Sequence, residues 1–173
     1  LEASPVMQRK AYGLENVTKD QVDKARAAYW GAVEYLDDQI EHLLFELKKS
    51  GEIDNTIIIY FTDHGDMIGN HGLWWKANYY EESVRVPLII KGPGVGKNVR
   101  KYQLTALIDI LPTICDLCGV DIPKDIDGVT LKPLLNEEET DYIPHDTVFS
   151  EYMGAAQKEI ELPGSIRMIT DGR

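Results

Sequence analysis

A long helical pattern that runs into a short, β-branched apolar segment constrains this chain more than any other feature. Thr18 followed by Gln21 is a capping-box pair that starts a helix. Val22, Ala25, Tyr29, Val33, Leu36, Ile40, Leu43 and Leu47 then step by three and four, which predicts one apolar helical stripe. Gly51 is a natural stop, and Gly31 is a place where so long a helix would kink or break. Asp37, Asp38, Glu41, Glu46, Lys48 and Lys49 make a solvated polar face. After a turn over 52–55, residues 56–61 are almost continuously apolar, the composition of a strand covered on both faces in the middle of an α/β sheet. A helix feeding such a strand implies layers of helix and sheet.

The rest of the chain fits the same class. Residues 1–17 carry no steady period, and 62–78 read as a loop punctuated by Gly65, Gly69 and Gly72. A helical turn is expected over 79–83. A second strand is expected over 84–91, and Pro87 marks an edge, a bulge or the point from which that strand proper begins. Leu104, Leu107, Ile108, Leu111, Ile114 and Leu117 share a helical face, with a kink or restart at Pro112 and an end at Gly119. Leu131, Leu134 and Leu135 should dock the turn-rich excursion over 121–132. An acidic loop is expected over 136–141, strands over 148–152 and 165–170, and a loop over 157–163.

Charge narrows the function. Lys and Arg number 18 against 29 Asp and Glu, a net charge of -11, so there is no basic face for a phosphate backbone and no nucleic-acid partner is expected. A negative protein can still hold an anionic ester through a metal or a few aimed cations. No apolar run reaches membrane-spanning length. Cys115 and Cys118 form C-x-x-C late in an apolar helical pattern rather than at a helix start, and no second ligand pair follows. They read as core or near-core thiols. The chain opens on Leu1 and closes straight after a strand, so both ends read as cuts, and the compartment is left unknown.

Ligands of open α/β sheets sit beyond the carboxyl ends of strands. Asp63, His64 and Asp66 leave the strand at 56–61 at once, and Gly65 allows a turn tight enough to bring the first two to one ion. Carboxylate oxygen with imidazole nitrogen suits a divalent metal. His71, Lys76 and Arg85 follow as anion contacts, and a lysine beside a metal would stabilise charge developing on an ester. Plainer readings stand beside these. Asp63-His64-Gly65-Asp66 also fits an ordinary turn after a strand, and His71 an ordinary loop histidine. Trp74 and Trp75 either plug the surface beneath the loop or line a substrate pocket. Glu81, Glu82 and Arg85 fit a structural ion pair or cap.

Asp63-His64-Gly65-Asp66, Gly69-Asn70-His71-Gly72, Lys76 and Tyr80-Glu81-Glu82-Ser83-Val84-Arg85-Val86-Pro87-Leu88 together resemble the sulfatase family of the alkaline-phosphatase-like superfamily. The resemblance runs from about Ala27 to Leu135 and more loosely to the end. It implies an alkaline-phosphatase-like α/β fold, a mixed central sheet flanked by helices, present here as a partial domain. Residues 1–173 would be the later portion of the catalytic domain, with 166–173 opening a C-terminal subdomain. It implies hydrolysis of a sulfate monoester, with phosphate or phosphonate ester hydrolysis, or a non-catalytic sulfatase-like domain, as the alternatives. Asp63 and His64 would be metal ligands, for Ca2+ first and Mn2+ or Mg2+ otherwise. Lys76 would contact the ester oxygens or help the leaving group, His71 would line the pocket or take part in catalysis, and Trp74 would meet substrate.

Many arylsulfatases have asparagine where His64 stands, so the Asp-His form is similar to choline-sulfatase-like and phosphonate-monoester-hydrolase-like branches. The family's C-x-P-S-R or S-x-P-S-R motif, whose Cys or Ser becomes the formylglycine nucleophile, is not in this sequence, and neither Cys115 nor Cys118 matches it. Formylglycine is therefore expected upstream, and the isolated chain would be inactive. Small ester substrates are the expected partners, and homo-oligomerisation is left open.

Overall fold

The structure, a computed structural model, describes residues 9–10, 13–76, 78–136, 141–152 and 166–172. The loop expected over 157–163 lies outside them, as do most of the residues expected to be irregular over 1–17 and the centre of the acidic loop over 136–141. The chain divides into two compact units. One comprises Leu1–Ile53, His64–Val86 and Glu151–Arg167, and the other Asp54–Asp63, Pro87–Ser150 and Met168–Arg173.

The first unit contains α1 (Lys19–Lys49), 31 residues long. Its start is the expected capping box. The Gln21 N–H donates to Thr18 Oγ1 at 3.3 Å, and the Thr18 N–H donates back to Gln21 Oε1 at 2.9 Å. Gly51, at φ +81, lets the Glu52 N–H reach the Leu47 carbonyl at 3.2 Å and close the last turn. The helix is continuous through Gly31, so it does not break there. One glycine costs only about 1 kcal/mol in a helix, too little to break one this long. The stripe is only partly covered among the described residues. Val22, Ala25, Ile40 and Leu47 are half-buried, whereas Tyr29, Val33, Leu36 and Leu43 are exposed. A four-residue helix, α2 (Glu81–Val84), belongs to the same unit and matches the turn expected over 79–83.

In the second unit β1 (Ile58–Phe61) pairs antiparallel with β2 (Leu88–Lys91), with Ile59 opposite Ile90 and Phe61 opposite Leu88. Both strands are shorter than expected. At one end Gly92 crosses so close that a Cβ there would lie 2.9 Å from the Ile57 Cα. At the other, β2 begins only after Pro87, which has no N–H for the ladder. Coverage of both faces, expected from composition, is not found among the described residues. Tyr60, Phe61 and Ile89 are 40%, 45% and 60% exposed.

A 3-10 turn (Leu107–Asp109) leads into α3 (Ile110–Leu117). This is the restart expected at Pro112, which sits in the first helical turn where its missing N–H costs nothing. Gly119, at φ +68, ends the helix, and the Val120 N–H returns to the Cys115 carbonyl at 2.8 Å. Leu131 and Leu134 are buried as expected, and Leu135 is half-buried. Gly128 is obligatory, since a Cβ there would fall 2.1 Å from the Ile108 carbonyl oxygen. The thiols are free. Cys115 is half-buried, but Cys118 is exposed at the helix end and is not a core residue.

Asp109 is fully enclosed, at 0% exposure. Its carboxylate accepts from the Ala106 N–H at 2.7 Å, the Val129 N–H at 3.0 Å and the His145 Nε2–H at 2.9 Å. Thr113 donates to the Asp109 carbonyl at 2.6 Å and accepts the Leu131 N–H at 2.8 Å. Burial and the nearby Asp109 charge push the Tyr142 phenol above its ordinary value.

β3 (Val148–Tyr152) and β4 (Ile166–Thr170) form a second two-stranded sheet, close to the expected bounds. The class is α/β, as expected. Among the described residues the strands form two two-stranded sheets, in keeping with a partial domain. No helix among them is long and apolar enough to cross a membrane.

Candidate functional site

The loop after β1 is built from left-handed backbone on two buried anchors. Met67 is 0% and Leu73 2% exposed. The Met67 N–H donates to the Trp75 carbonyl at 2.9 Å, and the Gly69 N–H to the Leu73 carbonyl at 2.8 Å. Asp66 accepts the Ile68 N–H at 2.8 Å, the turn that Asp makes with its own following backbone. Ile68, His71 and Trp75 have φ of 38°, 55° and 61°, and Gly69 and Gly72 are left-handed too. Such a conformation costs a non-glycine residue about 1–2 kcal/mol. Backbone strain of this kind persists only where the surroundings over-determine it, and it concentrates at functional sites.

Those surroundings are a side-chain clamp. Arg26 on α1 donates through Nε to the Ile68 carbonyl and through Nη2 to Asn70 Oδ1, both at 2.8 Å. Asn70 Nδ2 donates to Glu82 Oε1 at 3.0 Å. His71 Nε2 lies 3.7 Å from the same carboxylate oxygen, and the His71 ring stacks on Tyr80 at 4.1 Å.

Each residue singled out from sequence has a definite place. Asp63 is exposed beyond the end of β1. His64 is half-buried, with Nδ1 2.8 Å from the Gly65 carbonyl oxygen. A carbonyl only accepts, so Nδ1 is the donor in this contact. A backbone carbonyl at one ring nitrogen is the kind of contact that orients a metal-ligating histidine. Lys76 is exposed, and its carbonyl accepts from the Ser83 hydroxyl at 2.7 Å. Trp74 is half-buried and lies against Gly69. Trp75 is 50% exposed. Glu81 and Arg85 form the expected ion pair, at 3.2 Å on the surface, while Glu82 turns to Asn70 instead.

Asn78 accepts the Tyr80 N–H at 3.0 Å, but its buried Nδ2 has no partner among the described residues. A buried donor left unpaired costs about 1–3 kcal/mol, so this one marks a second unrelieved feature beside Lys76.

Among the described residues no three His, Cys, Asp or Glu side chains cluster so as to hold a metal ion. Asp63 and His64 have the donor chemistry of a divalent-metal site but supply only part of a ligand set. His71 is engaged with Tyr80 and Glu82.

Sequence reasoning passed over Arg26 and treated Asn70 and Ser83 only as motif letters. Arg26 had a signal. It stands one turn after Val22 beside the apolar stripe, where a charge needs a partner. Ser83 had none, since its role depends on which backbone groups the fold brings to it.

The Sulfatase family model matches residues 3–120. A choline-sulfatase of Rhizobium meliloti (strain 1021) is 39% identical over 124 residues, covering 70% of this chain and 24% of the relative. The phosphonate monoester hydrolase from Silicibacter pomeroyi superposes with a TM-score of 0.80 at 31% identity, over 93% of this chain and 34% of its own. That of Agrobacterium radiobacter gives a TM-score of 0.80 at 30% identity, over 91% and 33%. The chain thus spans a quarter to a third of the length of these relatives. It belongs to the sulfatase family, within the alkaline-phosphatase-like superfamily of hydrolases.

Proposed function

We propose that the whole protein hydrolyses a monoester of a tetrahedral oxyacid with the help of a divalent metal, and that this chain is the later portion of its catalytic domain. The observation that supports it is a half-buried His64 whose Nδ1 meets the Gly65 carbonyl oxygen at 2.8 Å, directly after Asp63 at the end of β1. Asp63 and His64 are two of the metal ligands, with the remainder outside the described residues. Ca2+ is the ion favoured by the family, ahead of Mn2+ and Mg2+. A divalent ion there supplies positive charge to the ester oxygens. Lys76 holds a further oxygen of the ester and offsets charge that develops as the leaving group departs. His71, stacked on Tyr80, forms a wall of the pocket, and Trp74 lies against substrate. The nucleophile, expected to be formylglycine, is outside this chain. Residues 166–173 begin the C-terminal subdomain.

Two solved structures that overlay nearly the whole chain are phosphonate monoester hydrolases, which favours a phosphonate or phosphate ester as substrate. A sulfate ester is the second reading, favoured by the identity to a choline-sulfatase. Assays of the full-length protein on p-nitrophenyl sulfate, p-nitrophenyl phosphate and a p-nitrophenyl phosphonate monoester separate them. The expected result is chelator-sensitive turnover, fastest on the phosphonate. Fastest turnover on the sulfate transfers the assignment to the second reading. No turnover of any ester with metal added overturns both and leaves a non-catalytic domain.

A further inference from the structure

Ser83 makes two backbone connections from one buried position. It is 3% exposed, on a helix of only four residues. Its carbonyl accepts the Gly65 N–H at 2.9 Å, and its hydroxyl donates to the Lys76 carbonyl at 2.7 Å. Gly65 directly follows His64. One residue therefore ties the chain beside the histidine to the chain that carries the lysine.

We propose that Ser83 is a positioning residue that sets the spacing between His64 and Lys76. The inference rests on the site roles proposed above for those two residues. Three observations carry it. The approach at the first tie is so close that a Cβ on Gly65 would meet the Glu82 carbonyl oxygen at 1.9 Å. At the second tie, Trp75 precedes Lys76 in a left-handed conformation, with φ 61°. Such a residue relaxes unless it is held on both sides. Met67 N–H holds it through the Trp75 carbonyl, and the next carbonyl along, that of Lys76, is held by the Ser83 hydroxyl together with the Asn78 N–H, both at 2.7 Å. Finally, the turn that presents Ser83 is itself fixed, by its N–H on the Tyr80 carbonyl and by Arg85 N–H on the Glu81 carbonyl, both at 2.9 Å.

The two ties are separable, because Ser83→Ala removes only the hydroxyl. Binding of inorganic phosphate to the metal-loaded full-length protein, followed by calorimetry, reads the lysine side without needing turnover. We expect Ser83→Ala to weaken phosphate about fivefold, a coupling of ordinary size for neighbouring groups. In a Lys76→Ala background the same substitution should add nothing, because its effect passes through the lysine. If Ser83→Ala fails to fold, Ser83→Cys, near in size but a poor donor, should show the same pattern. Phosphate binding unchanged by either Ser83 variant overturns the inference, as does a weakening that persists undiminished without Lys76. Unchanged binding in Lys76→Ala alone is a different failure. It removes Lys76 from the proposed site, and this inference with it.

Discussion

Two small hydroxyl residues, Ser83 and Thr113, sit at the centres of two polar networks, and the networks end differently. Thr113 is 1% exposed and joins the start of α3 to Leu131, just as Ser83 joins Gly65 to Lys76. Around Thr113 the charge is consumed. Asp109 is fully enclosed and spends both oxygens on two backbone N–H groups and His145. Its own backbone is ordinary, at φ -77°. Around Ser83 the backbone is left-handed at Ile68, His71 and Trp75, and the network ends on the exposed Lys76. A buried polar group that satisfies itself holds a fold together. Strained backbone held in place, as here, is the pattern that concentrates at functional sites.

The comparison can be broken in full-length protein. The largest effect is expected from Asp109→Ala, which strands the His145 side chain and two part-buried N–H groups. It should cost about 3–5 kcal/mol of stability in urea unfolding, with activity per folded molecule unchanged. Lys76→Ala should do the reverse. Turnover should fall by about 10²–10³, the size seen when a stabilising donor is lost from an oxyanion site, with the melting temperature unmoved. An equal loss of stability in both variants would erase the distinction. Arg26→Ala should touch both properties. It strips the donors from Ile68 and Asn70, costing about 1–3 kcal/mol, and lets the loop that carries Lys76 relax, so turnover falls as well.

The smallest effect concerns Asp116. Its hydrogen bond from Lys132, at 2.8 Å, and a second from Thr130 hold its carboxyl below the ordinary range. The folded value is the lower one, so this contribution is present above the ordinary carboxylate range and is lost as pH falls through the lowered value. The pair is substantially exposed, so it is worth about 1 kcal/mol or less. Asp116→Asn should flatten that part of the acid limb of a stability–pH curve, and an unchanged limb would contradict it.

The features legible in the sequence are the local ones. Thr18 with Gln21, Gly51, Pro112 and Gly119 mark helix ends because capping involves residues a few positions apart. Asp63 and His64 stand out because two side chains of the metal-ligating type follow a strand. The covering of β1 was not legible. Composition reports what a strand is suited to bury, not whether the covering layer is in the same stretch of chain. The Arg26 clamp was hidden for a similar reason, since its partner Ile68 is 42 residues away and accepts through its carbonyl, which any residue has.

The central claim is that Asp63 and His64 help to hold a divalent ion in the full-length protein. The most direct test is the metal content of purified wild type and the Asp63→Ala/His64→Ala variant, by elemental analysis after dialysis. The expected result is a retained divalent ion in wild type, calcium first, and its loss from a variant that still melts cooperatively. Equal metal in both proteins would contradict the claim.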